Sequence, residues 1–455
     1  MPALRQGVVM LAALLVAGCS SGTGAVGAQT SPGASAPVSA SAAASSAAST
    51  AGSAASTDTT PATSSSGGSS GGSSKGLPER TLAAMSLRDK VAQLFTVVVW
   101  GPKAAAPSKE NQARYGVATP AEVVERFRPG GVILFDWAGN VSGAGQVAAL
   151  TTGLREAARA DGGAPLVIGV DQENGIVSRL RALVTKLPGA AQIGATGQTA
   201  NARDVARVTG EELRALGISL DFAPVADVNV NPRNPVIGPR AYGSDPKKVA
   251  PMVGAAVDGF HAAKVASVAK HFPGHGDTSV DSHTGLPVIK HTMSKWRTLD
   301  APPFRTAIAH GVDVVMSAHV VMPELDPSGD PATLSHRILT GLLRDELGFG
   351  GVISTDALDM AGVREKYGDS EVVVRAVLAG ADMLLMPPNL PKAYDAILKA
   401  VKSGRISESR INESVLRILR LKERRGLFGP IRTDPGALRS PEHLKVAQRV
   451  FAQSR

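Results

Sequence analysis

The chain has 455 residues, of which 43% are hydrophobic and 19% are charged. This apolar fraction excludes a wholly disordered chain, and the single cysteine excludes a disulfide scaffold and a cysteine-based zinc cluster. The formal net charge of +9 is a mild basic excess that favours anionic surroundings in general and does not indicate nucleic acid. The only long apolar run lies at the extreme N-terminus, which excludes a polytopic membrane protein.

Residues 1–19 have the pattern of a secretory signal. Arg5 precedes an apolar run that ends near Val16 and is too short for a comfortable membrane span. The run leads into LVAGC at residues 15–19, which resembles the lipobox of bacterial lipoproteins. The resemblance implies a diacylglycerol group on Cys19, with an ordinary signal peptide as the alternative. We therefore expect an extracytoplasmic protein that is anchored to the cell membrane through lipidated Cys19.

Residues 20–75 consist almost entirely of Ser, Ala, Gly, Thr and Pro. They show no apolar periodicity, so they cannot bury enough surface to offset the entropy of ordering. We predict a disordered flexible linker here, with an O-glycosylated stalk as the alternative. The predicted organisation is therefore a signal peptide at 1–19, a linker at 20–75 and one folded domain at 76–455.

Short apolar runs alternate with amphipathic stretches from Gly76 onward. Eight runs are predicted to be strands: 94–99, 131–135, 166–170, 219–223, 266–269, 312–316, 352–354 and 383–386. They are apolar throughout, as expected of parallel strands that are covered on both faces. Repeated strand–helix units predict a (β/α)8 TIM-type barrel as a single domain, with a doubly wound sheet as the alternative.

Two helices stand out in this pattern. The first has Ser335 as its N-cap, one apolar face between residues 338 and 347, and an end at Gly348. The second covers residues 411–422, and we interpret its arginine-rich flank as a solvated face.

Polar residues stand where the predicted strands end. They are Asp171, Asp221, Asp227, Lys270, His271, Ser317, His319 and Asp356. In a barrel these ends surround one mouth, where active sites are built. The pattern therefore predicts an enzyme that acts on a polar, hydroxyl-rich or anionic ligand.

Residues 270–283 contain three histidines, two aspartates and a lysine. A metal site is one interpretation, because His271 and His275 have the i, i+4 spacing that places two ligands on one face of a helix. A proline and two glycines between and beside them oppose a helix, so we predict a loop without a metal. A histidine that is satisfied by backbone hydrogen bonds is the alternative for His275.

The segment KHFPGHGDTSVDSHTGLPV at 270–288 resembles the signature of glycoside hydrolase family 3, in its bacterial β-N-acetylglucosaminidase (NagZ-type) branch. Three further segments agree in the expected order: DQENG at 171–175, NPRNPVIGPRAYG at 231–243 and GVISTDALDM at 351–360. The resemblance covers nearly all of residues 80–425. It implies retaining cleavage of a terminal β-N-acetylglucosaminide with no metal or organic cofactor.

By this resemblance Asp356 is the nucleophile and His283 is the general acid and base. Histidine suits that role because its intrinsic pKa lies near the operating pH, and Asp281 would orient its imidazole. The implied sugar-binding residues are Asp171, Arg179, Arg240, Lys270 and His271. Two carboxylates compete for these roles: Asp359, which can instead cap the following turn or helix, and Asp277, which lacks the Asp-Ser-His spacing.

The predicted location and the family together indicate removal of GlcNAc from peptidoglycan-derived fragments by a monomer that binds no nucleic acid. One alternative is a β-N-acetylglucosaminide phosphorylase that uses the same residues, because a histidine acid/base lacks the negative charge that repels phosphate. The other is a sugar-binding lipoprotein with a degenerate site, against which the presence of Asp356, His283 and Asp281 argues.

Overall fold

Eight parallel strands surround the centre of the computed structural model, which describes residues 76–282, 285–364 and 366–455. The predicted signal peptide, the linker, Cys19 and His283 lie outside these ranges. In chain order the strands are β1 (Phe95–Val98), β2 (Gly131–Ile133), β3 (Val167–Val170), β4 (Gln172–Asn174), β5 (Val177–Ser178), β6 (Leu220–Asp221), β7 (Ala266–Phe272), β8 (Val314–Ser317), β9 (Val352–Ser354) and β10 (Leu384–Leu385).

The parallel strands follow the order β10-β1-β2-β3-β6-β7-β8-β9, and β4 and β5 form a separate antiparallel hairpin. A parallel bridge between Ser354 and Met383 joins the two ends of that order. The strands therefore close into a ring, which confirms the predicted (β/α)8 barrel over the doubly wound alternative. All eight predicted strands are present, and β7 continues past the predicted end at residue 269 to include Lys270 and His271.

Helices surround this ring on its outer side. They are α1 (Leu77–Ala84), α2 (Leu87–Ala92), α3 (Lys109–Tyr115), α4 (Pro120–Phe127), α5 (Ala144–Arg159), α6 (Ala190–Ala195), α7 (Thr199–Ala215), α8 (Pro246–Ala262), α9 (Met293–Leu299), α10 (Ala301–Ala309), a π-helical segment (Arg337–Glu346), α11 (Ala361–Arg364), α12 (Asp369–Ala379), α13 (Leu390–Lys402), α14 (Glu408–Arg424) and α15 (Pro441–Gln453). Over the described ranges, no helix combines the length and the hydrophobicity that crossing a bilayer requires.

Successive side chains of a strand point to opposite faces, and the barrel core divides accordingly. One apolar cluster combines Val167, Leu220 and Val314, each the first residue of its strand, with Ile418 and Leu421 of α14. A larger cluster joins the alternate strand residues to the surrounding helices. Helix α14 therefore covers the amino ends of the strands, and the carboxyl ends are left to form a site.

The helix predicted after Ser335 is present as the π-helical segment. The Ser335 hydroxyl accepts a hydrogen bond from the Ile338 N–H at 3.1 Å, as an N-cap does. The predicted apolar positions Ile338, Leu339, Leu342 and Leu343 are buried, and Gly348 follows the segment in the left-handed conformation at φ +69°. The capping and the apolar face were therefore predictable, whereas the π-type hydrogen-bond repeat was not.

The arginine-rich flank of α14 is not a solvated face, contrary to our interpretation of the sequence. Arg410 and Arg417 reach Asp382, which is fully buried, with N···O distances of 3.3 and 3.2 Å. Arg344 also donates to Asp382, and so does the Ser414 hydroxyl at 2.7 Å. The sequence pattern did not reveal this role because the acceptor carboxylate lies just before β10, 28 residues from Arg410. Two arginines of α14, together with Arg344 of the π-helical segment, therefore converge on the carboxylate that precedes β10.

We expect Asp382→Asn to lower the free energy of unfolding by about 3 to 5 kcal/mol, because it leaves three partly buried guanidinium groups without their buried counter-charge. Urea unfolding at neutral pH measures this difference. The matched control is Asp395→Asn on the exposed side of α13, where the change is expected to stay within about 0.5 kcal/mol. Equal stabilities for the two variants would contradict the role assigned to Asp382.

Candidate active site

The carboxyl ends of the strands surround an open cavity of about 370 Å³. Its lining includes six of the predicted site residues, namely Asp171, Arg179, Arg240, Lys270, His271 and Asp356. Residues that are up to 185 positions apart in the sequence therefore meet at one mouth, as the barrel interpretation requires. Glu173, His275, Ser282 and Asp359 also line the cavity.

Asp356 follows β9, and the backbone of the next residue holds its carboxylate in place. One carboxylate oxygen accepts the Ala357 N–H at 2.8 Å, and the Ala357 carbonyl accepts a hydrogen bond from His319 Nε2 at 2.9 Å. The other ring nitrogen of His319 bonds to the Thr333 hydroxyl at 2.8 Å. His319, noted in the sequence only as a strand-end residue, therefore fixes the backbone that orients Asp356.

The electrostatic surroundings keep Asp356 ionised. Burial by itself would raise the pKa of this carboxyl, but the imidazoles of His319 and His271 and the Ala357 N–H outweigh it and hold the pKa below its usual value. A carboxylate that attacks an electrophilic carbon must be unprotonated. Asp356 therefore has the protonation state that a nucleophile needs at neutral pH.

Two cations and two carboxylates form a buried network opposite Asp356. Lys270 Nζ lies 2.9 Å from Asp171 and 2.7 Å from Glu173. Arg240 donates to both oxygens of Glu173, with Nε at 2.8 Å and Nη2 at 2.7 Å. These paired charges can bind the hydroxyl groups of a sugar through charge-assisted hydrogen bonds.

Attraction between the opposite charges of this network shifts the pKa values of its members more than burial does. Burial alone would raise the pKa of Glu173, but Lys270 and Arg240 lower it far below its usual value. Burial would likewise lower the pKa of Lys270, and Asp171 and Glu173 raise it instead. Glu173, Arg240 and Lys270 are therefore charged at neutral pH. Glu173 lies inside the DQENG segment, but its pairing could not be predicted from the sequence because its partners, Arg240 and Lys270, are far along the chain.

Asp227 organises the two neighbouring histidines from below the cavity. It accepts His271 Nδ1–H at 2.7 Å and the backbone N–H of His275, also at 2.7 Å. Burial would raise its pKa, but the charge of His271 and these hydrogen bonds lower it. Nδ1 of His271 is thereby occupied, and Nε2 lies 3.4 Å from Arg240 Nη2 at the cavity wall. Asp227 was noticed as a strand-end carboxylate, but its positioning role was missed.

His275 lines the cavity, and one of its ring nitrogens is held by a side-chain hydrogen bond. Its Nε2 bonds to the Ser282 hydroxyl at 3.0 Å, and its carbonyl accepts the Asn234 amide at 2.8 Å. Burial, and then the charge of His271, lower its pKa to about 4, so the ring is neutral. Among the residues that the structure describes, no group of three or more His, Cys, Asp and Glu side chains is arranged to hold a metal ion.

The competing carboxylates lie in different surroundings. Asp277 accepts a hydrogen bond from His291 Nε2 at 2.9 Å and is not part of the cavity lining. Asp359 is an exposed side chain in the turn after Asp356, as expected. Asp281 is also outside the cavity lining, although its neighbour Ser282 lines the cavity. The roles of Asp281 and His283 therefore stay predictions.

Arg179 contributes a buried donor that has no partner in the part of the chain that the structure describes. Its guanidinium carbon lies 5.5 Å from the centre of the Phe135 ring, and its buried Nε has no hydrogen-bond partner among the described residues. Buried donors are normally satisfied, so an unpaired one in a cavity wall indicates a ligand that completes it. Asp221, by contrast, is buried outside the lining, accepts the Gln172 N–H at 2.9 Å, and has a pKa that burial raises well above its usual value.

Comparison with known proteins identifies the family. The profile of the "Glycosyl hydrolase family 3 N terminal domain" matches residues 86–421, a range that contains every predicted catalytic and sugar-binding residue. "Beta-hexosaminidase A" of Pseudoalteromonas piscicida is 39% identical over 343 residues, which are 70% of this chain and 57% of that protein. The chain thus spans little more than half the length of this relative.

Two further proteins that are similar to this chain have related names. "Beta-hexosaminidase LpqI" of Mycobacterium tuberculosis is 35% identical over 355 residues, which cover 75% of this chain and 84% of the relative. The solved structure of a glycoside hydrolase family 3 β-N-acetylglucosaminidase from Paenibacillus sp. FPU-7 is 42% identical, with a TM-score of 0.76, and the match covers 82% of this chain and 69% of that one. With a family profile that spans most of the barrel and with these relatives, the chain belongs to glycosyl hydrolase family 3.

Proposed function

We propose that this protein is a retaining β-N-acetylhexosaminidase that releases terminal GlcNAc from peptidoglycan-derived fragments. The observation that carries the proposal is Asp356, an ionised carboxylate held by the backbone at one side of a cavity whose other side presents charged donors. The names of the similar proteins, β-hexosaminidase and β-N-acetylglucosaminidase, support the sugar.

The reaction proceeds by two displacements at the anomeric carbon. A carboxylate oxygen of Asp356 attacks that carbon, the glycosidic C–O bond breaks, and His283 gives its proton to the departing oxygen. His283 then takes a proton from water, whose oxygen displaces Asp356 and releases GlcNAc with its original configuration. Asp281 stabilises the cationic form of the His283 imidazole.

The network opposite Asp356 holds the sugar during these steps. Asp171 is the more accessible of the two carboxylates, with 19% of its side chain exposed against 5% for Glu173, and accepts sugar hydroxyls. Lys270, Arg240 and Arg179 supply donors, and His271 presents Nε2 to the cavity. Positioning the ring before the reaction lowers the entropic part of the barrier.

The location of the enzyme is a separate proposal, supported by the sequence of residues 15–19. Lipidation of Cys19 would anchor a monomeric enzyme outside the cytoplasm, where cell-wall fragments occur. We expect Cys19→Ser to move the protein from the membrane fraction to the soluble extracytoplasmic fraction without loss of activity. Incorporation of labelled fatty acid into Cys19→Ser equal to that into the wild type would contradict the anchor.

Release of p-nitrophenol from the β-GlcNAc glycoside by the full chain tests the proposed activity, with the β-glucoside as the comparison. Turnover that is selective for GlcNAc and indifferent to phosphate is expected. A strong requirement for phosphate, with a sugar 1-phosphate as product, would replace hydrolysis by phosphorolysis. Binding of GlcNAc without any turnover would instead indicate a sugar-binding lipoprotein.

A further inference from the structure

The mouth of the cavity has two unlike halves. Charged residues lie in or after β3, β6, β7 and β9, whereas β2 and β10, with the loops that follow them, contribute aromatic and aliphatic side chains. Among the latter, Phe135 and Trp137 line the cavity beside Met386. A sugar ring presents hydroxyl groups at its edge and carbon–hydrogen bonds on its faces, so an aromatic wall suits a face that the charged wall does not bind.

Trp137 is unusually accessible for its size. Its side chain is 55% exposed, stacks on Phe135 with ring centres 4.6 Å apart at 23°, and lies 6.2 Å from the Trp100 ring. Trp100, Phe135 and Trp137 together form what we call the aromatic shelf. Large exposed aromatic rings at the edge of a cavity are characteristic of ligand contacts rather than of a packed core.

The loop that carries Trp137 is held firmly by hydrogen bonds. The buried Asn140 side chain accepts the Phe135 N–H at 3.1 Å and donates to the carbonyls of Val99 and Gly101, both at 3.0 Å. These bonds tie the loop after β2 to the loop after β1. The exposed ring is therefore fixed in its place before a ligand arrives, which lowers the entropic cost of binding.

A small side pocket continues from the shelf. It shares Trp137, Asp359 and Met386 with the main cavity and is lined also by Arg114. The Arg114 guanidinium lies 4.7 Å from the Trp100 ring centre, and its charge also acts on the Asp359 carboxylate, which lines the same side pocket. The end of the shelf thus carries an exposed guanidinium.

We infer that the aromatic shelf and Arg114 bind the leaving-group sugar and favour one that carries a carboxylate. The inference rests on the proposed function. An enzyme that removes a terminal sugar holds that sugar in the inner, charged half, so the second ring lies at the rim, where Trp137 is exposed. Arg114 then meets the acidic substituent of that second ring, since a guanidinium pairs with a carboxylate through two parallel hydrogen bonds.

Three substrates separate this role from a structural one. GlcNAc β-fluoride has no second ring, chitobiose has a neutral one, and GlcNAc-β-1,4-MurNAc has an acidic one. For Trp137→Ala we expect kcat/KM to fall by about tenfold or more for both disaccharides and to change much less for the fluoride, a loss comparable to one stacking contact. Trp137→Phe should restore most of the disaccharide activity.

Arg114→Gln should lower kcat/KM about tenfold for the MurNAc disaccharide alone, because only that substrate offers a carboxylate. The matched control is Arg126→Gln, which removes a guanidinium that lies over Phe127 and donates to the Gly116 carbonyl, away from the cavity lining. Equal losses on all three substrates, or no losses, would overturn the inference. Absence of wild-type turnover on every substrate would instead overturn the proposed function.

Discussion

Asp356→Asn should abolish turnover, with kcat reduced on the order of 10⁴-fold or more, the loss typical of removing a nucleophile. Asparagine keeps the shape of the side chain but cannot form the glycosyl ester. Because the Ala357 N–H and His319 fix the backbone here, the substitution should leave the fold intact, which circular dichroism and urea unfolding can verify. The measurement is p-nitrophenol release from the β-GlcNAc glycoside at pH 7.

Rescue by a small external nucleophile shows whether a variant has lost only its nucleophile or also its folded active site. Azide should restore turnover of an activated substrate by Asp356→Gly and yield the azide of inverted configuration, because it attacks from the face that the carboxylate has vacated. The neighbouring carboxylate provides the control: Asp359→Asn, in the exposed turn, should keep kcat within about tenfold of the wild type. A larger loss in Asp359→Asn than in Asp356→Asn would reassign the nucleophile.

The barrel could be predicted because parallel strands that are covered on both faces are mainly apolar rather than alternating, and the eight runs share this property. The sequence also predicted a mouth at the strand ends, where Asp171 and Asp356 lie. It could not show which end α14 covers, because an amphipathic pattern identifies an apolar face and not its partner. The arginines of α14 were misinterpreted for the same reason: their acceptor, Asp382, belongs to another element.

The site residues also differ in how well the sequence predicts them. Lys270 and Arg240 were identified through motifs, whereas Glu173 and Asp227, which hold them and His271, were not. Their roles depend on contacts between segments that are distant in the sequence. Glu173 and Arg240, for example, are 67 positions apart. Only the barrel, which brings these strand ends together, determines such pairs. Lys270 and Arg240, which belong to recognisable motifs, were therefore more predictable than the residues that position them.

Glu173 is a positioning residue, and we expect its replacement to lower the free energy of unfolding and to weaken substrate binding. It is 5% exposed and supplies the carboxylate for Arg240 and, with Asp171, for Lys270. Glu173→Gln removes its negative charge and leaves two buried cations to share Asp171. We expect the free energy of unfolding at pH 7 to fall by about 3 to 5 kcal/mol, as when one partner of a buried ion pair is removed.

The exposed pair between Glu346 and Arg297 provides a control with the same geometry. Arg297 donates to Glu346 through Nε at 2.7 Å and Nη2 at 3.0 Å, but 53% of the arginine side chain is exposed. Water screens such a pair, so Glu346→Gln should cost no more than about 1 kcal/mol. It should also leave the KM for the β-GlcNAc glycoside unchanged, whereas Glu173→Gln should raise it because Arg240 and Lys270 lose their fixed positions.

The pH dependence of the stability difference tests the electrostatic origin of this effect. The pKa of Glu173 is lower in the folded protein than its usual value of 4.5, so its ionisation stabilises the fold fully above that pH. As the pH falls below 4.5, Glu173 becomes protonated in the unfolded chain but stays ionised in the folded protein. The stabilisation by its charge therefore declines. Urea unfolding should therefore show equal differences between wild type and Glu173→Gln at pH 7 and pH 6, and a smaller difference near pH 3.5. A difference that stays constant down to that pH would mean that Glu173 acts through packing, because the shape of a side chain does not depend on its proton.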